Sequence, residues 1–509
     1  MSKYMIGIDI GTQSIRVQMY DQDANCIAKY AMAQYMDTPQ PAWATEKASV
    51  WWAATKDGIR AVVKESGVNA EEIVSIGCDA VMHSPVPITA DGTIVEDHVQ
   101  LYCDKRGAQI ADAINASKEQ RIAYDLTANV ATSNWQGIKI RWIKDHQPEV
   151  YDQTYKFLTG KDYINFMLTG EACIDFSEGT GTYCMDRKRL DWSDEMLCIV
   201  GIDREKLPRP CKAYDVIGRL RKPIADELGL STKTVVVCGA GDMMASLFVS
   251  GLAAKGSVSD CTGTGSVLCY YSDEPILDPR IMNLRHALDG WVAFGCVDSS
   301  GGAFRWLRDT IAKQESAYAR EQGLDEYAYL SELAKDTPAG ADGLLFFPYL
   351  MGERTMGSAD SRGSFIGLNV GTGIGHMVRS VLEGIAFEHK RTLDLFEGSG
   401  KHINSVYHTG GAAKGALWNQ IKADIYQKPV YTLRFDEGGV LGSALLGGVG
   451  AGLFPNPETA AKMVLIVKDE YLPDVTKAHQ YSELFHAFCE THDALQKPFF
   501  ALAHAATVK

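Results

Sequence analysis

Residues 6–21 read IGIDIGTQSIRVQMYD, and residues 256–273 read GSVSDCTGTGSVLCYYSD. In the first stretch Ile6, Ile8 and Ile10 alternate with Gly7 and Asp9, which is the period of a strand. Gly11 to Ser14 make a turn, and Ile15 to Tyr20 form the return strand. After the turn at Asp21-Gln22-Asp23, Cys26 to Tyr30 add a third strand. This is an antiparallel meander, not the strand-to-helix step of a P-loop or dinucleotide-binding unit. The second stretch follows the same plan around Thr262-Gly263-Thr264-Gly265-Ser266. Each turn offers backbone N–H groups and hydroxyls with little side-chain bulk, which suits phosphate oxygens. One such turn reads equally as a polar hairpin loop. Two at matching places form an internal repeat at domain scale and suggest two lobes gripping one polyphosphate.

Asp9 and Arg16 flank the first turn. Thr12 and Ser14 are candidates to hydrogen-bond phosphate oxygens, and Arg16 to neutralise their charge. Asp9 is a candidate to hold Mg²⁺ through water. Between the two turns, the short strand Val235 to Cys238 runs into Gly239-Ala240-Gly241-Asp242 and then a helix from Met243 to Leu252. Asp242 therefore stands at a helix N-terminus, either as a cap or as a general base toward a hydroxyl nucleophile. The helix dipole is expected to lower its pKa. A weak base of this kind suits phosphoryl transfer, where positioning and charge neutralisation dominate.

The rest of the chain supplies the frame. Val50 to Glu65 reads as an amphipathic helix, with Trp51-Trp52 as an anchor rather than a sugar platform. Ile73 to Cys78 is a strand leading to Met82-His83, and residues 105 to 230 read as largely helical. The crossover between lobes falls at Ala253 to Gly256, giving lobes of 1–253 and 254–509. Further helices are expected from His376 to about Phe396, from Leu417 to Gln427 and over 476–498. Gly410-Gly411-Ala412 opens a turn that lets a flat ring approach the backbone. Met82, His83, Asp104 and Arg106 are polar or soft groups in loops, placed to meet the hydroxyls of a polyol.

The chain has 509 residues, 46% hydrophobic and 22% charged, enough for a real core in two or more domains. A net charge of −14 argues against a nucleic-acid or anionic-membrane partner. The N-terminal stretch lacks a signal-peptide pattern, and no apolar run approaches a membrane span. Twelve cysteines scattered without a CxxC pair fit reduced thiols in a cytoplasm, mostly as small core residues.

Taken together, these motifs resemble the FGGY carbohydrate kinases of the actin/hexokinase-like superfamily. Asp9-Ile-Gly-Thr-Gln-Ser14 is similar to the first phosphate motif, Gly263-Thr264-Gly265 to the second, and Gly241-Asp242 to the base motif. Lys139-Ile-Arg-Trp142 with Pro148 to Tyr151 resembles the first signature region. Phe347 to Thr355 resembles a PYxxGERT block, and Gly363 to Glu383 the second signature. Thr409 to Ala412, Asn419-Gln420, Ala423-Asp424, Glu437 and Gly442 to Ala444 are similar to the adenosine motif. The matches run from about residue 6 to 446 in the family's order.

The resemblance implies an α/β fold of two actin/hexokinase-like (ribonuclease H-like) domains with the active site in the cleft between them. It implies ATP- and Mg²⁺-dependent phosphorylation of a sugar or polyol hydroxyl. Asp242 would be the catalytic base and would also meet the sugar. Asp9 would lie near the metal, and Thr12, Gln13, Ser14 and Arg16 near the phosphate in transit. Gly263 and Thr264 would bind the ATP phosphates, and Gly301, Gly411 and Ala412 would line the nucleotide site. Met82, His83, Asp104 and Arg106 would face the sugar. Within the family the chain is most similar to the xylulokinase group, through Met82-His83 and Leu101 to Arg106. That makes a ketopentose, D-xylulose first, the expected substrate. Departures at Asp79 to Ser84, at Tyr102-Cys103 and at Met243 leave another ketose, a polyol or a deoxysugar as alternatives. A non-catalytic sugar sensor on the same fold is a third reading. Retention of Asp9, Thr12, Asp242 and Gly263 argues against it. The resemblance also allows a homodimer.

Overall fold

The computed structural model describes residues 2–252, 254–353, 355, 360–434 and 438–507. Ala253, expected at the crossover, and Arg354 and Glu437, expected in family blocks, lie outside the described residues. Two seven-stranded mixed sheets organise the chain. The first contains β1 (Tyr4–Ile10), β2 (Ser14–Asp21), β3 (Cys26–Ala33), β4 (Ile73–Ala80), β5 (Val216–Arg219), β6 (Val235–Val237) and β7 (Ala240–Gly241). The second contains β8 (Ser257–Thr262), β9 (Ser266–Ser272), β10 (Met282–Arg285), β11 (Trp291–Val297), β12 (Ser405–Thr409), β13 (Val430–Leu433) and β14 (Val467–Tyr471).

The repeat read from the two turns extends to topology. In the first sheet β1 runs antiparallel to β2 and β2 to β3, while β1 is parallel to β4 and β4 to β6. In the second sheet β8, β9 and β11 form the same meander, while β8 is parallel to β12 and β12 to β13. Both β1 and β4 are buried along nearly their whole length, as strands covered on two faces must be.

Helix α1 (Ala48–Ser66) buries Trp51, Ile59 and Val62 against the first sheet. Trp51 Nε1 donates to Glu46 Oε2 at 3.0 Å, so this tryptophan anchors the helix as its spacing suggests. The segment expected to be largely helical is instead broken. It holds α2 (Gln136–His146), α3 (Gly160–Thr169), α4 (Phe176–Thr180) and other short helices, separated by strands of two to four residues. Helices this short are set by tertiary packing more than by their own periodicity. In the second lobe α6 (Gly301–Thr310), α7 (Ile374–Gly398), α8 (Ala416–Tyr426) and α10 (Ala478–Thr507) pack around a core of Val381, Ile385, Trp418 and Phe488. The terminal helix outruns its expected end at 498, with Pro498 inside it.

Two further helices, α5 (Asp242–Val249) and α9 (Gly438–Gly450), matter most for the site. Helix α9 comes late in the chain yet lies on β1 and β4 of the first sheet. Glycine permits this. A Cβ on Gly7 would sit 2.0 Å from the Val440 carbonyl oxygen, and one on Gly77 1.9 Å from that of Ser443. A Cβ on Gly442 would sit 2.0 Å from the Ala245 carbonyl oxygen of α5. The lobes also meet through Asn129, whose Nδ2 donates to the Asn283 carbonyl at 2.8 Å and whose Oδ1 accepts from Asn283 N–H at 2.8 Å. Among the described residues, no helix is long and apolar enough to cross a membrane. All twelve cysteines are unbridged. Six are buried and three exposed, so the core reading holds for only half of them.

Candidate active site

The ends of β1, β4 and β7 bring three acids together. In register, Asp9 lies opposite Arg16 on β2 and beside Asp79 on β4, and Asp79 lies beside Ala240, two residues before Asp242. Arg16 forms an ion pair with Asp9, which is buried, while the arginine stays partly exposed. Thr12 and Ser14 are partly open and Gln13 is exposed. The turn is closed by Gly11 N–H donating to the Ser14 carbonyl at 3.0 Å. Asp79 escaped the sequence reading as a functional candidate. It is fully buried, accepts from Ser443 Oγ of α9 at 2.6 Å, and its Oδ1 has no hydrogen-bond partner. Burial pushes its carboxyl well above the usual range, and the charges of Asp9 and Asp242 add to that, against the Ser443 hydrogen bond. Its signal was available: Asp79 directly follows the apolar run Ile73 to Cys78, as Asp9 stands next to the last residue of its own apolar strand.

Asp242 is the first residue of α5, and Gly241 is the cap. Its Oδ1 accepts from Met243 N–H at 2.7 Å. The expected downward pKa shift is overturned. Burial and the charge of Asp9 push Asp242 up to about 8, and the Met243 N–H only partly offsets them. A helix terminus contributes well under the several kcal/mol that desolvation and a neighbouring carboxylate can impose. The loop carrying Asp242 rests on a buried polar chain. Lys161 Nζ lies 3.0 Å from Asp175 Oδ1, Asp175 Oδ2 accepts from Ser177 Oγ at 2.5 Å, and Ser177 Oγ accepts from Gly241 N–H at 3.1 Å.

Met82 and His83 follow β4. Met82 packs on Gly241, where a Cβ would come within 2.6 Å of its side chain. His83 has φ of 64° and stands edge-on to Trp135, with ring centres 5.3 Å apart. Burial, reinforced by Lys139, pushes its pKa down to about 3, so the imidazole is neutral at physiological pH. The backbone N–H of His83 donates to Glu178 Oε2 at 3.1 Å. Burial raises Glu178 to about 8, with Lys161 pulling the other way. Lys139 is fully buried and donates to the carbonyls of His83 at 2.9 Å and Asn134 at 2.7 Å. Burial pushes its pKa down to about 7, partly offset by Asp104.

Asp104 and Arg106 face each other. Arg106 Nη2 donates to Asp104 Oδ2 at 2.7 Å, and Ala44 N–H donates to the same oxygen at 2.8 Å. The Arg106 guanidinium lies 3.7 Å above the Trp43 ring. The pair thus shapes the wall behind Lys139 with its charges already matched.

The second turn is held from two sides. Gly263 N–H donates to the Gly265 carbonyl at 2.8 Å. Ser300 N–H and Gly302 N–H both donate to the Thr264 carbonyl, at 3.0 and 2.8 Å. A Cβ on Gly301 would sit 2.3 Å from the Gly263 oxygen, and one on Gly410 2.6 Å from the Thr262 oxygen. The close fit brings Gly263, Thr264, Gly301 and the Gly410–Ala412 segment into one place. A Cβ on Gly263 would meet nothing closer than 3.9 Å, and one on Gly411 nothing within 4 Å. At these two positions the fold itself does not require glycine.

Among the described residues, no three His, Cys, Asp or Glu side chains are arranged to hold a metal ion by themselves. Asp9 and Asp79, side by side on β1 and β4, are carboxylates of the kind a Mg²⁺-type cation takes one or two at a time, with waters and substrate phosphates. Two meander-built lobes, a carboxylate cluster at the strand ends of one and a glycine-lined turn in the other, define an actin/hexokinase-like phosphotransferase.

The comparisons give the class a family. Residues 4–249 match the N-terminal domain of the FGGY family of carbohydrate kinases and residues 259–451 its C-terminal domain. The chain belongs to this family of ATP-dependent sugar kinases. It is 28% identical over 487 residues to a xylulose kinase of Bacillus subtilis, covering 95% of each chain. It is also 28% identical over 508 residues to a gluconokinase of the same organism, covering 99% of this chain and 98% of that one. The crystal structure of xylulose kinase from Rhodospirillum rubrum superposes with a TM-score of 0.90 at 24% identity, covering 98% of this chain and 100% of that one.

Proposed function

We propose that the chain transfers the γ-phosphoryl group of ATP to a hydroxyl of a neutral ketopentose, D-xylulose first. The observation that carries the sugar class is the state of the cations around His83. Lys139 is spent on two carbonyls and Arg106 on Asp104, while Asp242 and Glu178 supply acid. Such a wall suits hydroxyls and disfavours a carboxylate. Similarity to a gluconokinase favours gluconate as the second reading.

The sugar meets Met82, His83 and Asp242, with neutral His83 orienting a hydroxyl. Asp242 accepts the proton of the attacking hydroxyl as its oxygen forms a bond to the γ-phosphorus and the bond to the ADP oxygen breaks. Thr12, Gln13, Ser14 and Arg16 face the phosphate in transit. Gly263 and Thr264 hold the phosphates that stay on the nucleotide, beside Gly301, Gly411 and Ala412. Asp9, through water, would hold Mg²⁺, which supplies neutralisation of phosphate charge. Closure of the lobes shields the phosphoryl group from water. Met243, apolar beside the base, removes a hydrogen bond to one sugar hydroxyl and widens tolerance at that carbon.

A coupled ADP-release assay over D-xylulose, D-ribulose, erythritol and gluconate tests this. The proposal expects kcat/KM for a ketopentose to exceed that for gluconate by about 100-fold or more. Preference for gluconate would replace it with the second reading.

A further inference from the structure

Under the second phosphate turn lies a buried polar knot to which the chemistry above gives no part. Lys422 Nζ, on α8, donates to Asp260 Oδ2 at 2.6 Å, to Thr262 Oγ1 at 3.1 Å and to His408 Nε2 at 2.8 Å. Three donors thus meet three acceptors. Thr262 Oγ1 donates to Asp260 Oδ1 at 2.6 Å and lies 2.9 Å from Ser266 Oγ, so both ends of the turn are tied. All these side chains are buried.

Two arms leave the knot. One passes from His408 Nδ1 to Asn419 Oδ1, and Asn419 Nδ2 donates to the Ala413 carbonyl at 2.8 Å, inside the 411–414 segment. The other passes from Asp260 to Tyr426 OH at 3.2 Å and from there to His389 Nδ1 at 2.9 Å. His389 Nε2 lies 3.4 Å from Ser300 Oγ, and Ser300 N–H holds the Thr264 carbonyl at 3.0 Å. Three separate pieces of backbone are therefore joined to one ion pair. They are the 262–266 turn, the start of α6 at Gly301, and the 411–414 segment.

We propose that the Asp260–Lys422 pair, acting through Thr262, positions the nucleotide site by fixing these three segments relative to one another. The proposal rests on the reading that these segments bind ATP. A glycine-rich turn is costly to order, and a buried ion pair adds little stability over a well-packed apolar pair. What a fully satisfied polar knot supplies is a single geometry. Burial pushes Asp260 up, but the Lys422 ammonium 2.6 Å away overrides it and holds the carboxyl well below its usual range. The acid is therefore ionised.

Thr262→Val keeps the shape of the side chain and removes the hydroxyl. Thr262→Ser keeps the hydroxyl. The double variant Asp260→Asn/Lys422→Met removes both charges together and leaves neither unpaired. The expected result is a rise of about tenfold in KM for ATP in Thr262→Val and in the double variant, with KM for the sugar unmoved. Thr262→Ser should return KM for ATP to within about threefold of the parent. Gly263→Ala serves as the control on the reading beneath, since its methyl group would meet no protein atom closer than 3.9 Å. If Gly263→Ala raises KM for ATP and Thr262→Val and the double variant do not, the positioning role is overturned while the ATP site stands. If Gly263→Ala also leaves KM for ATP unchanged, the placement of ATP at this turn fails and the positioning role falls with it.

Discussion

Asp242, the proposed base, is held partly protonated near neutral pH by its surroundings. With its carboxyl pushed up to about 8, kcat/KM should rise with pH and level off above that value, because the ionised form accepts the proton. Asp9→Asn removes a charge that raises Asp242, so the rising limb should move to lower pH. A limb that stays in place would assign it to Glu178, which burial also raises to about 8. The same shift carries a stability cost. A carboxyl whose folded pKa lies above its unfolded value binds more protons folded than unfolded, so the fold loses stability as pH climbs from about 4 to about 8. Asp242→Asn does not titrate. Its urea midpoint should match the parent near pH 4 and exceed it at pH 8 by a few kcal/mol equivalent. Equal midpoints at pH 8 would contradict the burial of this charge. The position of Asp242 was legible from its strand–glycine–helix setting. Its pKa was not, because Asp9 and Glu178 are distant in sequence and nothing local announces their approach.

At the scale of elements, the glycines divide by what surrounds them. Gly77 lets α9 lie directly on β4, with 1.9 Å between an added Cβ and the Ser443 oxygen. Gly77→Ala should cost about 3 kcal/mol, the upper part of the overpacking range, measured by denaturant unfolding. Gly411 faces open space. Gly411→Ala should leave the unfolding midpoint unmoved and raise KM for ATP several-fold, the pattern of a residue kept small for a ligand. An unchanged KM would remove Gly411 from the nucleotide site. Both meanders and the long helices α1 and α7 were readable from apolar period alone. The 105–230 region was not, because its short helices take their ends from packing on other parts of the chain. Asp104 and Arg106 show the same limit. Their types and spacing suggest free polar groups, while the fold pairs them and stacks the arginine on Trp43.

Across the whole molecule, one plan appears twice with different cargo. Each sheet orders its meander and its parallel strands alike. Each lobe also buries a lysine against acid beneath its loop: Lys161 with Asp162 and Asp175 under Asp242, and Lys422 with Asp260 under the second turn. The lobes differ in what the loop carries, a carboxylate cluster in one and an open glycine turn in the other. Helix α9 joins them, since it follows the 262–266 turn and the 411–414 segment in the chain and lies on the sheet that carries the acids. Its Ser443 reaches Asp79 directly. The most direct test is single-turnover transfer of the γ-phosphoryl from ATP to D-xylulose by Asp242→Asn, with ATP affinity measured on the same protein. The account predicts ATP affinity within about threefold of the parent and transfer slower by about 10³-fold or more. Transfer within about tenfold of the parent would show that Asp242 is not the base.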